Sequence, residues 1–324
     1  MLKMSTEFTR LALNGPTMGT RWSATLLAAP GIDPAPLRKA LQQAVEEVDR
    51  QMSTWKPESD LMRLNRAPVG HWVPVPERLV TVLEAGLAIG IASGGAFDIG
   101  MGDAVSAWGF SAGQASPASI CAALRAERRP AYELLEIELE NARVRKHGPL
   151  TLDLCGIAKG YGVDRLAEIV RDFGIEHGLL SIDGELRALG GQLNGAPWAI
   201  AVERPDPDRR DAHSLLTLEN AAVATSGDYR HWVELMGTRF SHTMDPVHGA
   251  PLQRGPASVT VVAPTCMMAD AWATAMMVLG REAGDRLARR IGLSVLFLER
   301  AGDGLHVTPS GPAFAAHAPE PVPG

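Results

Sequence analysis

Hydrophobic residues recur at helical spacing in several segments of this chain. Over residues 36–52 they form one stripe, and the polar residues lie largely off it, which predicts an amphipathic helix. The stripe consists of Leu37, Leu41, Val45, Val48 and Met52. Residues 79–93 are predicted to form a second, more buried helix, and residues 161–173 a third. We expect the first two helices to pack on a sheet.

Short apolar or alternating runs predict the strands. They cover residues 179–182, 198–203, 221–224, 232–240, 258–263 and 294–299. Helical patterns return at 269–280 and 281–291, and a proline-rich, charged connector is predicted at 204–210. Because strands and helices are mixed without a regular βαβ period, the pattern favours an α+β fold with mixed, mostly antiparallel sheets and packed helices.

Composition narrows the class of protein. The chain has 324 residues, 46% hydrophobic and 21% charged, which is typical of a globular protein with a substantial core. Its formal net charge of -6 and the lack of a long basic run argue against a nucleic-acid partner. Three separated cysteines predict neither a disulfide framework nor a zinc site.

The first residues contain no continuous apolar leader and no lipobox cysteine, and no segment has the run of about 18 apolar residues that a membrane span needs. We therefore expect no membrane span and a cytoplasmic location, or a periplasmic one if a leader has been removed. Residues 308–324 hold prolines, alanines and small polar residues, which predicts a flexible tail.

A glycine-rich segment carries the first candidate chemistry. Residues 151–164 read TLDLCGIAKGYGVD, in which a short predicted strand bearing Asp153 breaks at Gly156 and restarts as a helix. Together with Lys159, this segment places an acid, a bare carbonyl and a positive charge near one helix N-terminus. A phosphate and its metal can bind at such a position. The alternative is a plain strand-to-helix turn with a solvated lysine. The segment matches neither the P-loop nor the Rossmann pattern.

A second candidate cluster lies at residues 241–251, which read SHTMDPVHGAP and follow a predicted strand end. His242 is placed there for proton transfer, and Asp245 for orienting a neighbouring group. An imidazole with the ordinary pKa of about 6.5 is partly basic at neutral pH. The alternative is an Asp-Pro turn beside a surface histidine.

The third cluster is the predicted helix at residues 269–280. Asp270 and Thr274 are four residues apart, so they share one helix face and can present a carboxylate and a hydroxyl to the same point. Such oxygen donors suit a hard cation such as Mg²⁺. The alternative is that Asp270 complements the helix dipole while Thr274 bonds back within its own helix.

Taken together and in this order, the three clusters resemble the ApbE family of FAD:protein FMN transferases. Shorter matches occur at PTMGTRW (16–22), MSTWKPES (52–59), GAFDI (95–99), WGF (108–110) and TSGDYR (225–230). The resemblance runs from residue 16 to about residue 280. It implies a T-fold-related, two-lobed domain at residues 15–307, preceded by an N-terminal extension at 1–14 and followed by the tail.

The resemblance also implies a reaction. Family members bind FAD with a divalent metal, usually Mg²⁺, although Mn²⁺ accepts the same oxygen ligands. They move the FMN half of FAD onto a Thr or Ser hydroxyl of an acceptor flavoprotein and release AMP. Two alternatives stay open, namely hydrolysis of FAD to FMN and AMP, and flavin binding without turnover.

Roles follow from the resemblance residue by residue. Asp270, Thr274 and the main-chain carbonyl of Gly156 would hold the metal. Asp270 and His242 would be catalytic, the latter as the general base on the acceptor hydroxyl. The FAD-contacting positions would be Met18, Trp55, Ala96, Phe97, Asp98, Asp153, Lys159 and Met244.

Two features separate this chain from many relatives. Ala273 stands where some members add a carboxylate ligand, so the site would depend more on water and on the FAD phosphates. Asp183 and Glu185 stand beside the expected nucleotide site, where many relatives have a glycine pair. We expect Glu185 to face solvent, and the role of Asp183 is left open.

Overall fold

The computed structural model of the chain describes residues 8–112, 114–230, 232–235, 237–302 and 304–317. Its helices are α1 (Pro34–Met52), α2 (Asp60–Arg66), α3 (Glu77–Ala92), α4 (Gly102–Ala107), α5 (Pro117–Arg125), α6 (Ala131–Leu134), α7 (Ala158–Asp172) and α8 (Cys266–Ile291). A 3₁₀ helix covers Pro312–His317.

The strands form one large sheet and several small ones. They are β1 (Thr9–Thr17), β2 (Thr20–Ala28), β3 (Trp72–Pro74), β4 (Leu135–Glu138), β5 (Arg143–Lys146), β6 (His177–Ile182), β7 (Glu185–Leu189), β8 (Trp198–Glu203), β9 (Ala212–Leu218), β10 (Ala222–Gly227), β11 (Trp232–Leu235), β12 (Thr238–Ser241), β13 (Met244–Asp245), β14 (Ala250–Pro251), β15 (Ser258–Ala263), β16 (Ser294–Ala301) and β17 (Gly304–Ser310). The large sheet has the order β1-β2-β6-β7-β10-β15-β16-β17, and all its neighbouring strands are antiparallel. The predicted α+β class with mostly antiparallel sheets is confirmed.

The two faces of the large sheet bury separate apolar clusters, as strand alternation requires. On β2, Leu26 packs with α1 and α7, whereas the next residue, Leu27, packs with the β8–β9 hairpin. Trp22 lies in the first cluster, fully buried, and its indole N–H donates to Gln42 of α1 at 2.8 Å. Burial of a large apolar side chain contributes up to about 3 kcal/mol. This burial therefore stabilises the face of the sheet against which α7 and α8 pack.

Helix α8 changes direction at Gly280, whose φ of 69° and ψ of 174° are not helical. The first part begins at the N-cap Thr265, whose hydroxyl accepts from the Met268 N–H at 3.3 Å. This break separates the two helical segments expected at 269–280 and 281–291. Among the described residues, no helix is long and apolar enough to cross a membrane.

Elements of the structure extend past both predicted boundaries of the domain at 15–307. Residues 9–14, assigned to an extension, form most of β1 and pair with β2 along its length. At the other end, β17 continues to Ser310, and Phe314 of the 3₁₀ helix is fully buried against the face that carries β8 and β9. Composition alone missed this because one large apolar side chain is enough to dock a short segment. Residues 1–7 and 318–324 lie outside the described residues.

Two local predictions also differ from the structure. The alternation at 232–240 belongs to a hairpin of β11 and β12 rather than to one strand, with Gly237 at a φ of 75° in the connection. The strand expected before Gly156 is reduced to an isolated parallel bridge between Met101 and Thr151.

Candidate functional site

Helix α7 begins without a capping side chain of its own. The side chain of its N-cap residue, Ile157, has no hydrogen-bond acceptor, so the first N–H groups of the helix need acceptors from elsewhere. Asp270 of α8 supplies one, because its Oδ2 accepts from the Gly160 N–H at 2.9 Å. The sequence-predicted carboxylate therefore lies directly at the sequence-predicted helix N-terminus.

Asp270 is only 4% exposed. Burial raises the pKa of its carboxyl to about 6, while the charge of Lys159 and the hydrogen bond from Gly160 act in the opposite direction. At neutral pH this carboxylate is mostly ionised. A buried anion at a helix N-terminus is well placed to hold a cation.

Thr274 lies one helical turn beyond Asp270. Its Oγ1 is 3.3 Å from the hydroxyl of Ser226 on β10. A Cβ built on Gly156 would lie 3.1 Å from the same Thr274 oxygen, so the Gly156 backbone packs closely against that side chain. The structure thus brings Gly156, Asp270 and Thr274 together where α7 and α8 meet.

Lys159 extends among three carboxylates. Its Nζ is 2.8 Å from a carboxylate oxygen of Glu185 and 3.4 Å from one of Asp183. The charge of Asp270 also acts on it. Burial alone would lower the pKa of Lys159, but these three acids outweigh burial and raise it. The lysine is therefore fully charged.

The expectation that Glu185 faces solvent is wrong. Its residue is 4% exposed, and burial raises the pKa of its carboxyl to about 8 against the opposing charge of Lys159. Glu185 starts β7, and the alternation of that strand turns its side chain inward toward Lys159. Asp183 precedes it in the β6–β7 turn at a φ of 51°, and it accepts a 3.3 Å hydrogen bond from the Thr20 hydroxyl.

The run from Ala96 to Asp98 borders the Gly156 turn. Phe97 is buried, and its Cε2 would lie 3.3 Å from a Cβ built on Gly156. Asp98 accepts from the N–H groups of Gly100 at 2.8 Å and of Ala131 at 3.0 Å. In this structure its carboxylate ties the loop after α3 to α6, and burial raises its pKa.

Three further positions expected to contact FAD are Met18, Trp55 and Asp153. Met18 occupies the β1–β2 turn at a φ of 46°, and its Cε would lie 3.2 Å from a Cβ built on Gly162 of α7. Trp55 is 60% exposed, so its ring face is open to a ligand. Asp153 accepts from the Cys155 N–H at 2.8 Å, which shapes the turn leading into α7.

The segment after β12 carries the second cluster. His242 follows that strand directly and is half-buried. Met244 is buried in an apolar cluster with Trp108 and neighbouring residues of α4 and α5. The Asp245 carboxylate is 2.6 Å from Nδ1 of His248, so the neighbour that it demonstrably orients is this second, exposed histidine.

The donor set fits Mg²⁺. The described residues contain no group of three or more His, Cys, Asp or Glu side chains able to hold a metal ion. Asp270 and Thr274 offer one carboxylate and one hydroxyl, and the Gly156 backbone would add a carbonyl; these are hard oxygen donors of the kind that Mg²⁺ supplements with water and phosphate. Oε2 of Glu185, beside Lys159, is buried and has no hydrogen-bond partner among the described residues.

Comparison with known proteins identifies the family. The sequence model of the ApbE family matches residues 18–297. A FAD:protein FMN transferase of Vibrio cholerae is 36% identical over 295 residues, which cover 90% of this chain and 88% of that protein. The chain belongs to the ApbE family. A FAD:protein FMN transferase of Escherichia coli K12 is 35% identical over 309 residues, covering 92% and 86% of the two chains.

Solved structures of the family agree in fold. Flavin transferase ApbE from Vibrio cholerae has a TM-score of 0.83 at 34% identity, covering 94% of this chain and 97% of the other. The apo form of flavinyl transferase ApbE from Pseudomonas stutzeri has a TM-score of 0.82 at 34% identity, covering 94% and 95%. The prediction of an ApbE-family enzyme is confirmed.

Sequence reasoning missed two residues of this ApbE-family site. Ser226 was not assigned although it lies in the TSGDYR match, and its hydroxyl contacts Thr274. Asp164 closes the glycine-rich segment, yet its position on α7 is 6% exposed and it binds the start of α8. An acid within the apolar stripe of a predicted helix was the available signal for Asp164.

Proposed function

We propose that this ApbE-family chain is a Mg²⁺-dependent FAD:protein FMN transferase. It would attach FMN covalently to a Thr or Ser hydroxyl of an acceptor flavoprotein and release AMP. The observation that carries the proposal is the meeting of Asp270, Thr274 and the Gly156 backbone at the N-terminus of α7, beside Lys159. The similarity to FAD:protein FMN transferases of Vibrio cholerae and Escherichia coli supports it.

Asp270, Thr274 and the carbonyl of Gly156 would hold the metal. When bound, Mg²⁺ supplies charge neutralisation at the pyrophosphate, and Mn²⁺ would suit the same oxygen donors. Lys159 would bind the phosphate oxygens. Trp55 and Met18 would contact the flavin nucleotide.

The transfer is an in-line displacement at phosphorus. The acceptor hydroxyl oxygen forms a bond to the FMN phosphorus while the bond from that phosphorus to the bridging oxygen breaks, and AMP leaves with the bridging oxygen. His242 would take the hydroxyl proton as general base. The rest of the rate would come from positioning and charge neutralisation, as is usual in phosphoryl transfer.

The deciding experiment follows two products at once. The pure protein is incubated with FAD and Mg²⁺, with and without a candidate acceptor domain, and both AMP release and acceptor mass are measured. An FMN-sized mass gain that requires acceptor, metal and Asp270 would establish the transferase. AMP release without acceptor would instead favour FAD hydrolysis, and tight FAD binding with neither product would favour a flavin carrier.

His242 has its own test. The variant His242→Ala should slow transfer at neutral pH by about 10²-fold or more, the usual contribution of a positioned general base. FAD affinity should stay nearly unchanged because the role is confined to proton transfer. An equal loss of FAD binding would make His242 a ligand contact rather than the base.

A further inference from the structure

The N-terminus of each of the helices α7 and α8 is capped by a carboxylate of the other helix. Asp164 of α7 accepts from the backbone N–H groups of Cys266 and Met267, both at 2.9 Å, and these are the first two residues of α8. Asp270 of α8 accepts in return from Gly160, the third residue of α7. Each helix is therefore capped by an acid from the other.

The contact between the two helices at this point is very close. A Cβ built on Gly160 would lie 2.8 Å from the Cβ of Asp270 and closer still to the Cys266 carbonyl. With no side chain between the backbones, the two carboxylates reach across. A slide of one residue along either helix axis, about 1.5 Å, would break both sets of bonds.

Asp164 is itself held in one position. It is 6% exposed and forms an ion pair with Arg187 of β7, which belongs to the large sheet. Burial raises the pKa of the Asp164 carboxyl, while Arg187 and the two α8 N–H groups favour its charged form. The start of α8 is thus tied through Asp164 to both α7 and the sheet.

We infer that Asp164 is the positioning residue of the metal site. Its two hydrogen bonds set where α8 begins, and Asp270 and Thr274 lie four and eight residues beyond Cys266 on that helix. Asp164 thereby sets how these donors face the Gly156 carbonyl across the junction. This inference rests on the proposed metal-dependent function and adds a residue that does not touch metal or substrate.

A purely structural role would give a different result from a positioning role. Loss of a helix cap lowers stability wherever the cap lies. Loss of a partner that orients a metal ligand lowers metal affinity, typically by about 10- to 100-fold. The two are separated by measuring metal binding at a temperature at which every variant is folded.

The test uses Asp164→Asn and Asp164→Ala with Mn²⁺ as the probe. Binding of Mn²⁺ to the protein, with and without FAD, is followed by electron paramagnetic resonance, and folding is checked by circular dichroism. Asp164→Asn keeps an acceptor for one α8 N–H and turns an amide group toward the other, so it should bind Mn²⁺ about tenfold more weakly. Asp164→Ala should be weaker again, and the Asn variant carries the test if the Ala variant does not fold.

Val170→Ala is the matched control. Val170 is fully buried on the same helix, so its truncation lowers stability without touching either cap. It should bind Mn²⁺ as the wild type does. Folded Asp164→Asn that binds Mn²⁺ with wild-type affinity would overturn the inference alone. A wild type that binds no Mn²⁺ and, with FAD, Mg²⁺ and acceptor present, releases no AMP would overturn the proposed function as well.

Discussion

Asp270 combines two tasks in one side chain. Its carboxylate caps α7 through Gly160 and is also the charged donor of the candidate metal site. A neutral amide of the same shape can still accept the hydrogen bond, but it has no charge to offer a cation. Substitution of this residue can therefore separate helix capping from chemistry.

We predict that Asp270→Asn lowers metal-dependent AMP release and acceptor labelling by at least about 10²-fold, because the charged ligand is lost. The matched control is Asp285→Asn, on the second part of α8, where the acid pairs with Arg289. That variant should keep full activity. Acceptor labelling at the wild-type rate by Asp270→Asn would refute the metal assignment.

Substitutions at Lys159 can separate its contribution to stability from its contribution to FAD binding. Lys159→Met leaves the buried Glu185 without its cation, which should lower the free energy of unfolding by about 1–3 kcal/mol, discounted because Lys159 is partly exposed. The double variant Lys159→Met/Glu185→Gln removes the unpaired acid and should regain most of that stability. Denaturant unfolding measures both.

FAD affinity should respond differently. If Lys159 binds the pyrophosphate, both the single and the double variant should bind FAD at least about tenfold more weakly, because the charge is absent in each. Fluorescence titration of the flavin measures this. Recovery of FAD affinity in the double variant would show that Lys159 matters only as the partner of Glu185.

At the scale of elements, the junction of α7 and α8 depends on glycine. A Cβ at Gly160 would meet backbone atoms of Cys266, which cannot move aside, whereas a Cβ at Gly162 would meet the ends of the Ile182 and Met18 side chains at 2.9 and 3.2 Å. Flexible side-chain ends can shift, and a helix gains up to about 1 kcal/mol when alanine replaces glycine.

Gly160→Ala should therefore cost several kcal/mol more than Gly162→Ala, and it should separate Asp270 from the start of α7. Thermal unfolding compares the two variants, and Mn²⁺ titration reports on the site. If both alanine variants unfold at the same temperature and bind Mn²⁺ equally, the close packing at Gly160 is not required for the site.

Sequence patterns predicted these elements well where one face is apolar. The stripe from Leu37 to Met52 and the strand Ser258–Ala263 match the structure closely, because burial dictates their period. Patterns could not show that Glu185 turns inward, since an isolated acid at a strand start carries no sign of the lysine that meets it in space. Sequence patterns could not show the reciprocal caps either, because the two residues of each cap are more than 100 residues apart in the chain.

At the scale of the whole molecule, the large sheet has to be covered on both faces. The second face is completed by the β8–β9 hairpin and by Phe314, which lies beyond the last strand. A short C-terminal segment thus contributes to the core. Its apolar content is too low for composition to reveal this.

Phe314→Ala should lower the free energy of unfolding by about 3–5 kcal/mol, the usual range for a buried phenylalanine. Phe173→Ala is the control, since Phe173 is 37% exposed at the end of α7 and its removal leaves no closed cavity. Chemical denaturation monitored by circular dichroism compares the two. Similar midpoints for both variants would mean that Phe314 does not seal the sheet.

The reciprocal caps also have a consequence for how the protein is made. The bond between Gly160 and Asp270 spans 110 residues of chain, and the one between Asp164 and Cys266 spans 102. During synthesis from the N-terminus, α7 emerges long before the acid that completes its first turn. Closing so long a loop has an entropic cost that only the nearly finished polypeptide can offset. A nascent chain therefore cannot complete this junction until translation has passed α8.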